Sequence, residues 1–439
     1  MSDTIAAIAT AAGIGGVGIV RLSGPQAIAI AAQVLGVAPS ALDRKVRLGW
    51  ARDRAGQQVD QVLAFAMRAP ASFTGEDVAE LQGHGGPHNL ARLLDAVLER
   101  GARVAEPGEF TRRAVAGGKL DLIRAEALLE VIHAGSERAW RLAQANLVGE
   151  LGARVAGLEQ RALQLLAELE GWIDFPDEEL EVASAAAIDA ELGSLAAAVS
   201  TLADGFRHGR AVSQGISVAL VGSVNAGKSS LLNALVGRER AIVAAAPGTT
   251  RDWLEVDDVW HGVAVTVIDT AGTRSADAPT QDPIELRGIE LGEQRVASAD
   301  VVVVVDEAPG AAAAERYPGR AILVRSKADL GGAPGVGLAT SATTGLGLAE
   351  LRREVLRIAG VADREGSEQA VVTTARQQAF AAAARDSLSA ALVARRASAP
   401  PEIVAIELRE AVRSLAELRG VEVGERVLDE VFARFCIGK

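Results

Sequence analysis

The sequence predicts an α/β and α protein in which one α/β domain is inserted between two halves of a helical domain. Three observations support this prediction. The chain has 439 residues, of which 49% are hydrophobic, so it can bury several cores. Apolar residues recur at steps of three and four both before residue 214 and after residue 367. Between these positions short apolar strands alternate with loops and helices, which is typical of a parallel sheet with crossover helices.

Composition and charge exclude several classes of protein. The single cysteine, Cys436, excludes a disulfide scaffold and indicates a reducing compartment. No apolar run approaches the roughly 20 residues of a membrane helix, and the N-terminal segment lacks the basic stretch of a secretory signal. A net charge of −12 argues against a protein that holds nucleic acid through its overall field. We therefore expect a cytoplasmic protein with no membrane span.

Residues 1–118 are predicted to form a mixed α/β domain. Two short strands, Ile5–Thr10 and Gly18–Leu22, flank a glycine-rich turn. Two helices are predicted at Pro25–Leu35 and Asn89–Arg100, and the leucines of the second helix fall on one face.

Long amphipathic helices are predicted on both sides of the inserted domain. In residues 119–213, apolar residues at helical spacing run from Leu147 to Ile173 and again from Ile188 to Phe206. The same spacing returns in residues 368–439, where it includes Val404, Leu408, Val412 and Leu415. Repeats of this kind are typical of a helix bundle.

Residues 214–367 are predicted to form the inserted domain. An insertion at a surface turn costs little when the two chain ends of the insert lie close together. The strands predicted in this domain are Ile216–Val221, Val263–Ile268, Val301–Val305 and Ala321–Val324.

The strongest motif is the segment Gly222–Ser229, with the sequence GSVNAGKS, between a predicted strand and a predicted helix. This context is the one that a phosphate-binding loop requires, because its backbone N–H groups and the helix N-terminus both favour an anion. Lys228 would reach the β- and γ-phosphate oxygens, and the Ser229 hydroxyl would bind Mg²⁺. The residues expected to bind the nucleotide here are Asn225, Ala226, Gly227, Lys228, Ser229 and Ser230.

Further motifs follow in the order expected of a GTPase. Thr250 would bind Mg²⁺ from a loop that senses the γ-phosphate, and Asp269 would lie behind the metal. Asp329 would accept hydrogen bonds from both donors of guanine, while Lys327 packs over the base, which favours GTP over ATP. The further residues expected at the nucleotide are Gly248, Thr249, Thr250, Asp269, Thr270, Ala271, Gly272, Ser326, Lys327, Ala328, Asp329, Ser341, Ala342 and Thr343.

Together with these motifs, the whole chain resembles the MnmE (TrmE) family of tRNA wobble-uridine modification GTPases. The resemblance implies a folate-binding and dimerisation domain at 1–118, a helical domain at 119–213 and 368–439, and a Ras-like P-loop GTPase domain at 214–367. The segments that carry it, besides the GTPase motifs, are Asp3–Thr10, Gly16–Arg21, Phe73–Asp77, Glu80–Pro87, Pro107–Phe110, Gly118–Asp121 and Phe435–Lys439.

The resemblance also implies how GTP would be hydrolysed. Thr273 stands where Ras-like proteins have a catalytic glutamine, so Glu285 becomes the candidate that positions water, alongside Lys228 and Asp269 as catalytic residues. The alternative for Glu285 is a solvated glutamate at a helix start. In place of an arginine finger, the family uses K⁺, which would neutralise charge that develops between the phosphates. The K⁺ ligands implied are Asn225, Ala244, Ala246 and Thr249, in a loop that also contains Ala245 and Pro247.

For the N-terminal domain the resemblance implies a site for 5,10-methylenetetrahydrofolate, with 5-formyltetrahydrofolate as an analogue. A carboxylate can accept from the paired donors of a pterin ring, and cations suit its glutamate tail. The positions that match are Arg21, Glu80, Lys119 and Lys439. Cys436 is either a thiol acting near the folate or a packed thiol at a helix end. In the guanine motif, Ser326 replaces the usual asparagine, which predicts weaker affinity with unchanged specificity.

By resemblance, the chain is a potassium-dependent GTPase that acts as a homodimer. It would form a heterotetramer with the flavoprotein MnmG and add an aminomethyl or carboxymethylaminomethyl group to C5 of uridine 34 in tRNA. GTP hydrolysis would drive association of the two GTPase domains. The alternatives are a ribosome-assembly GTPase, a folate-dependent aminomethyltransferase with a regulatory GTPase domain, and a GTP-binding switch without catalysis.

Overall fold

The computed structural model describes residues 3–174, 185–236, 253–270, 292–331, 335–361, 370–421 and 424–438. Contacts divide the chain into two compact units. The first unit contains residues 1–129 and 419–439, and the second contains residues 130–418.

The first unit is built on a six-stranded sheet with the order β3-β4-β5-β2-β1-β6. Its strands pair antiparallel except β1 and β6, which are parallel. Helices α1 and α2 bury one face of the sheet over a core that includes Leu22, Ile30, Leu81 and Leu93. The elements are β1 Ile5–Ile8, β2 Val17–Ser23, α1 Ala27–Leu35, β3 Arg47–Arg52, β4 Gln58–Met67, β5 Val78–His84, α2 Pro87–Leu98, β6 Arg103–Val104 and α3 Glu109–Ala116.

The helices that follow confirm the predicted helical pattern but divide it differently. The sequence predicts one run from Leu147 to Ile173, whereas the structure ends one helix at Val148 and begins the next at Glu150. Gly149 between them has a φ of 106°, a left-handed conformation that glycine adopts without strain. The helices are α4 Leu122–His133, α5 Glu137–Val148, α6 Glu150–Asp174, α7 Ala185–Asp204 and α8 Phe206–Gln214.

The second unit contains another six-stranded sheet, with the order β12-β11-β10-β7-β9-β8. All neighbouring strands are parallel except β8 and β9, so the prediction of a parallel sheet is confirmed for five of the six strands. Its elements are β7 Ile216–Val221, α9 Lys228–Val236, β8 Trp253–Trp260, β9 Val263–Thr270, α10 at 292–298, β10 Val301–Asp306, α11 Ala312–Glu315, β11 Ala321–Arg325, β12 Leu338–Ala339 and α12 Leu348–Ile358.

The chain then returns to helix with α13 Ala375–Arg396, α14 Pro401–Arg419 and α15 Glu425–Phe432. Helix α13 packs along α7, so segments on both sides of the insert form one helical layer. After α15 the backbone of Ile437 pairs with that of Pro107, within the first unit. The Phe432 and Phe435 rings lie 5.6 Å apart. A Cβ on Gly108, just before α3, would lie 2.7 Å from the Phe432 carbonyl oxygen and 3.0 Å from the Cβ atoms of both phenylalanines.

One described helical stretch, Ala186–Gln214, is long and apolar enough to cross a membrane by length and composition alone. This is weak evidence, because core helices of globular proteins pass the same test. Its first part, α7, packs against α6 and α13.

Candidate nucleotide-binding site

The loop between β7 and α9 has a backbone that only certain residues can form. Gly222 has a φ of 148°, and a Cβ at this position would lie 2.0 Å from the carbonyl oxygen of Val305 on β10. Asn225 also has a positive φ, 64°, which asparagine tolerates better than most side chains. The loop therefore lies tight against the end of β10 and leads directly into the N-terminus of α9.

Lys228 is the first residue of α9 and is only 6% exposed. Its Nζ donates hydrogen bonds to the carbonyl oxygens of Gly222 at 3.0 Å and Ser223 at 2.9 Å. Burial lowers the pKa of Lys228, and the nearby Asp269 carboxylate partly offsets this effect. A buried cation held inside the loop is suited to pair with a phosphate anion.

Ser229 and Asp269 form the second polar pair of the site. The Ser229 hydroxyl donates to Asp269 Oδ2 at 2.6 Å. Asp269 is 6% exposed, and its other oxygen, Oδ1, is buried and has no hydrogen-bond partner among the described residues. A buried carboxylate with a spare oxygen beside a hydroxyl fits Mg²⁺, which prefers oxygen ligands together with substrate phosphates. Among the described residues there is no cluster of three or more His, Cys, Asp or Glu side chains that would hold a metal by itself.

The predicted base-recognition segment follows β11 and lies close to the phosphate loop. A Cβ on Gly227 would lie 3.9 Å from the Ser326 Cβ and 4.0 Å from the Lys327 Cε. The Ala328 N–H donates to the Thr340 carbonyl at 3.0 Å, which holds this segment beside the one that contains Ser341. Ser341 is fully buried, whereas Asp329 is exposed and available to a base.

Several predicted residues lie outside the described residues, so their roles stay predictions. For Thr270 only the backbone, at the end of β9, is described. The predicted residues outside the described ranges are Ala244, Ala245, Ala246, Pro247, Gly248, Thr249, Thr250, Ala271, Gly272, Glu285 and Lys439.

The structure brings together two of the four predicted folate residues. Arg21 on β2 and Glu80 on β5 are directly paired across the strands, and Arg21 Nε donates to Glu80 Oε1 at 2.8 Å. The Arg21 guanidinium also lies 6.0 Å from the centre of the Phe110 ring. Lys119 is exposed and donates to the carbonyl oxygen of Pro70 at 2.9 Å. Cys436 is exposed, so the alternative of a packed thiol is wrong.

Sequence analysis missed two carboxylates at the end of β10. The Asp306 side chain accepts a hydrogen bond from the Ser223 hydroxyl, at 3.1 Å. Glu307 forms an ion pair with Lys327, with 2.5 Å between Oε1 and Nζ. The sequence signal was an apolar strand, Val301–Val305, that ends in two acidic residues, since carboxyl ends of neighbouring parallel strands lie at one sheet edge.

Comparison with known proteins decides the family. A family model described as the MnmE helical domain matches residues 122–436, and one described as the GTP-binding protein TrmE N-terminus matches residues 4–119. The tRNA modification GTPase MnmE of Synechococcus sp. (strain RCC307) is 46% identical over 452 residues, covering 100% of this chain and 98% of the relative. The chain belongs to the MnmE family.

A more distant MnmE, from Chlamydia felis (strain Fe/C-56), is 39% identical over 450 residues and covers 100% of this chain and 99% of its own. Among solved structures, the G domain of the T. maritima FeoB iron transporter is 28% identical and covers 33% of this chain and 98% of its own, with a TM-score of 0.25. The fold of this MnmE-family chain is therefore described from its own strand order and not from this similarity.

Proposed function

We propose that this chain is a potassium-activated GTPase of tRNA modification. It hydrolyses GTP with Mg²⁺ and, with a flavoprotein partner of the MnmG type, modifies C5 of uridine 34. The one-carbon unit comes from 5,10-methylenetetrahydrofolate, and the product carries an aminomethyl or carboxymethylaminomethyl group. The enzyme works in the cytoplasm as a homodimer within a heterotetramer.

The observation that carries the GTPase part is the group formed by Lys228, Ser229 and Asp269. A buried ammonium, a hydroxyl at a helix N-terminus and a buried carboxylate with an unused oxygen meet at the end of β7 and β9. When bound, Mg²⁺ would neutralise charge on the phosphates. Lys228 would exchange its loop carbonyls for phosphate oxygens, and Ser229 would exchange Asp269 for the metal.

The folate part is supported by the Arg21–Glu80 pair. Glu80 is 7% exposed, and within the described part of the chain its second oxygen, Oε2, accepts a single long hydrogen bond, from Gln82 Nε2 at 3.4 Å. That oxygen has capacity to accept from a ring donor of a pterin. The neighbouring Arg21 orients the carboxylate through the hydrogen bond from its Nε to Glu80 Oε1.

The homodimer is supported by apolar side chains on the outer face of the first unit's sheet. Leu48 on the edge strand β3 is 61% exposed, its cross-strand partner Leu63 is 42% exposed, and Trp50 is 43% exposed. An exposed apolar edge of this kind is a surface that a second copy of the chain would cover.

The decisive experiment is single-turnover GTP hydrolysis in potassium against sodium at equal ionic strength. We expect potassium to accelerate hydrolysis at least about tenfold, since a fixed cation stabilises the transition state. Asn225→Ala should abolish the acceleration and leave the slow sodium rate. Equal rates in both salts for the wild-type chain would contradict the cation mechanism.

Modification of tRNA by the chain with MnmG, GTP and methylenetetrahydrofolate separates the proposal from its alternatives. A ribosome-assembly GTPase would hydrolyse GTP yet leave uridine 34 unmodified in this mixture. An aminomethyltransferase with a regulatory GTPase domain would turn over folate without modifying tRNA. A switch without catalysis would bind GTP and not hydrolyse it.

A further inference from the structure

Ser326 is the first residue of the base-recognition segment, and its side chain is buried. It is 8% exposed, and its buried hydroxyl oxygen has no hydrogen-bond partner in the part of the chain that the structure describes. A Cβ on Gly227 of the phosphate loop would lie 3.9 Å from its Cβ, so the two loops are close at this point. Two loops that must bind one ligand need some polar connection to fix their separation.

Asp306 connects the two loops instead. Its backbone carbonyl accepts the Ser326 N–H at 2.8 Å, while its side-chain Oδ2 accepts the Ser223 hydroxyl at 3.1 Å. Its Oδ1 accepts the Ala308 N–H at 3.2 Å, which fixes the carboxylate in place. One residue at the end of β10 thus holds the phosphate loop with its side chain and the base-recognition segment with its backbone.

Glu307 makes a parallel contact to the next residue of the base-recognition segment. Its carboxylate pairs with Lys327 Nζ at 2.5 Å. The Lys327 Cε lies 4.0 Å from the position of a Cβ on Gly227, so the end of the lysine side chain lies near the phosphate loop. The backbone of Lys327 has a φ of 54°, which is uncommon for a residue other than glycine. The ion pair with Glu307 fixes the direction of its side chain.

We propose that Asp306 and Glu307 are positioning residues for the guanine nucleotide, and that they supply the connection between the phosphate and base loops that Ser326 does not make. This inference rests on the proposed function, because it needs a nucleotide that spans both loops. The carboxylates do not touch the nucleotide; they set the separation of the loops that do. Their loss should therefore speed nucleotide dissociation and raise KM more than it lowers kcat.

The test measures dissociation of a fluorescent GDP from the full chain, together with KM and kcat for GTP. Ser223→Ala and Asp306→Ala each remove the same hydrogen bond, so each should speed dissociation about fivefold. The double variant should be no worse than Asp306→Ala alone. Glu315→Ala, which removes an exposed carboxylate from α11, should behave as the wild type.

Ser326→Asn provides the rescue. A longer amide side chain at this position can reach across to the phosphate loop, so it should slow GDP dissociation and restore the Asp306→Ala variant to within about twofold of the wild type. Independent, additive effects of Ser223→Ala and Asp306→Ala would overturn the proposal, as would unchanged dissociation in both. If the wild-type chain binds no guanine nucleotide, the proposed function fails instead.

Discussion

At the scale of one residue, Lys228 is a buried cation that the fold holds where a phosphate would bind. A lysine buried to this degree is costly to keep charged, and burial lowers its pKa although Asp269 lies nearby. Two loop carbonyls stabilise the ammonium. A phosphate would stabilise it more strongly, because opposite charges interact strongly where water is excluded.

Replacing Lys228 by methionine tests two effects separately: the binding of phosphate by the ammonium group, and the cost of burying its charge. GTP hydrolysis should fall by about 10²-fold or more, since a donor to the developing charge is lost. Stability should respond to pH differently. The wild-type fold binds fewer protons at Lys228 than the unfolded chain, so its free energy of unfolding rises as pH increases through the lowered pKa toward 10.5. The variant should lack this rise.

Denaturant unfolding at several alkaline pH values checks this expectation. Lys45→Met provides the control, because Lys45 is an exposed lysine of the first unit. A wild-type curve that matches the Lys228→Met curve at every pH would contradict the role of burial.

At the scale of elements, helix α8 forms the junction between the helical layer and the second sheet. A Cβ on Gly209 of α8 would lie 2.2 Å from the carbonyl oxygen of Val372, in the segment that leaves the insert. Arg210 of the same helix forms an ion pair with Asp300, which also accepts from the Ser217 backbone N–H at 2.9 Å. The two chain ends of the insert are thus packed against each other through a glycine contact.

Gly209→Ala should therefore destabilise the second unit by more than about 1 kcal/mol, because the new methyl group meets backbone that cannot move aside easily. Gly193→Ala on α7 is the matched control, since nothing lies within 4 Å of a Cβ there. Because alanine favours a helix more than glycine does, Gly193→Ala should raise the free energy of unfolding by about 0.5–1 kcal/mol. Thermal unfolding measures both, and equal shifts in the two variants would contradict the close packing.

Elements also show what sequence reasoning could and could not reach. Strands β7 and β10 were predicted because buried parallel strands are continuous apolar runs. Strand β8 was missed because its alternation is interrupted by Asp257 and Asp258, and because its turn, His261-Gly262, is not one of the common hairpin dipeptides. The motifs predicted that Ser229 and Asp269 lie near one metal ion. The Asp306 connection joins residues 83 positions apart at the ends of neighbouring strands, so it requires the strand order as well as the sequence pattern.

At the scale of the molecule, a network of charged side chains connects distant segments of the first unit. Arg103 and Arg113 each bond to both Asp3 and Glu109, which joins the first strand, β6 and α3. Hydrogen bonds from Arg103 and Arg113 lower the pKa of Asp3 to about 2. Burial alone would raise the pKa of Glu109, but the same arginines and the Glu106 N–H lower it.

Because both carboxylates have lowered pKa values in the folded state, their stabilisation is present at neutral pH. It should be lost as pH falls below the ordinary values of 4.5 for Glu109 and 3.8 for Asp3 toward about 2. Glu109→Gln should flatten this acid dependence in the first unit, while Asp95→Asn, at an exposed position on α2, should not. Hydrogen exchange of β1 and α3 between pH 5 and pH 2.5 gives the readout; identical acid profiles in the wild type and Glu109→Gln would contradict it.

The return of the chain end to its beginning has a consequence for synthesis. Residues 424–438, which contact Gly108 and pair at Pro107, are translated after the 289 residues of the second unit. At typical rates of about 5–20 residues per second, the early part of the first unit waits roughly 15–60 s on the ribosome for its final segment. The second unit can complete its own folding in that interval. A chain that stops just before residue 424 would therefore contain every residue of the second unit, while Gly108 and Pro107 of the first unit would lack the contacts that residues 424–438 provide.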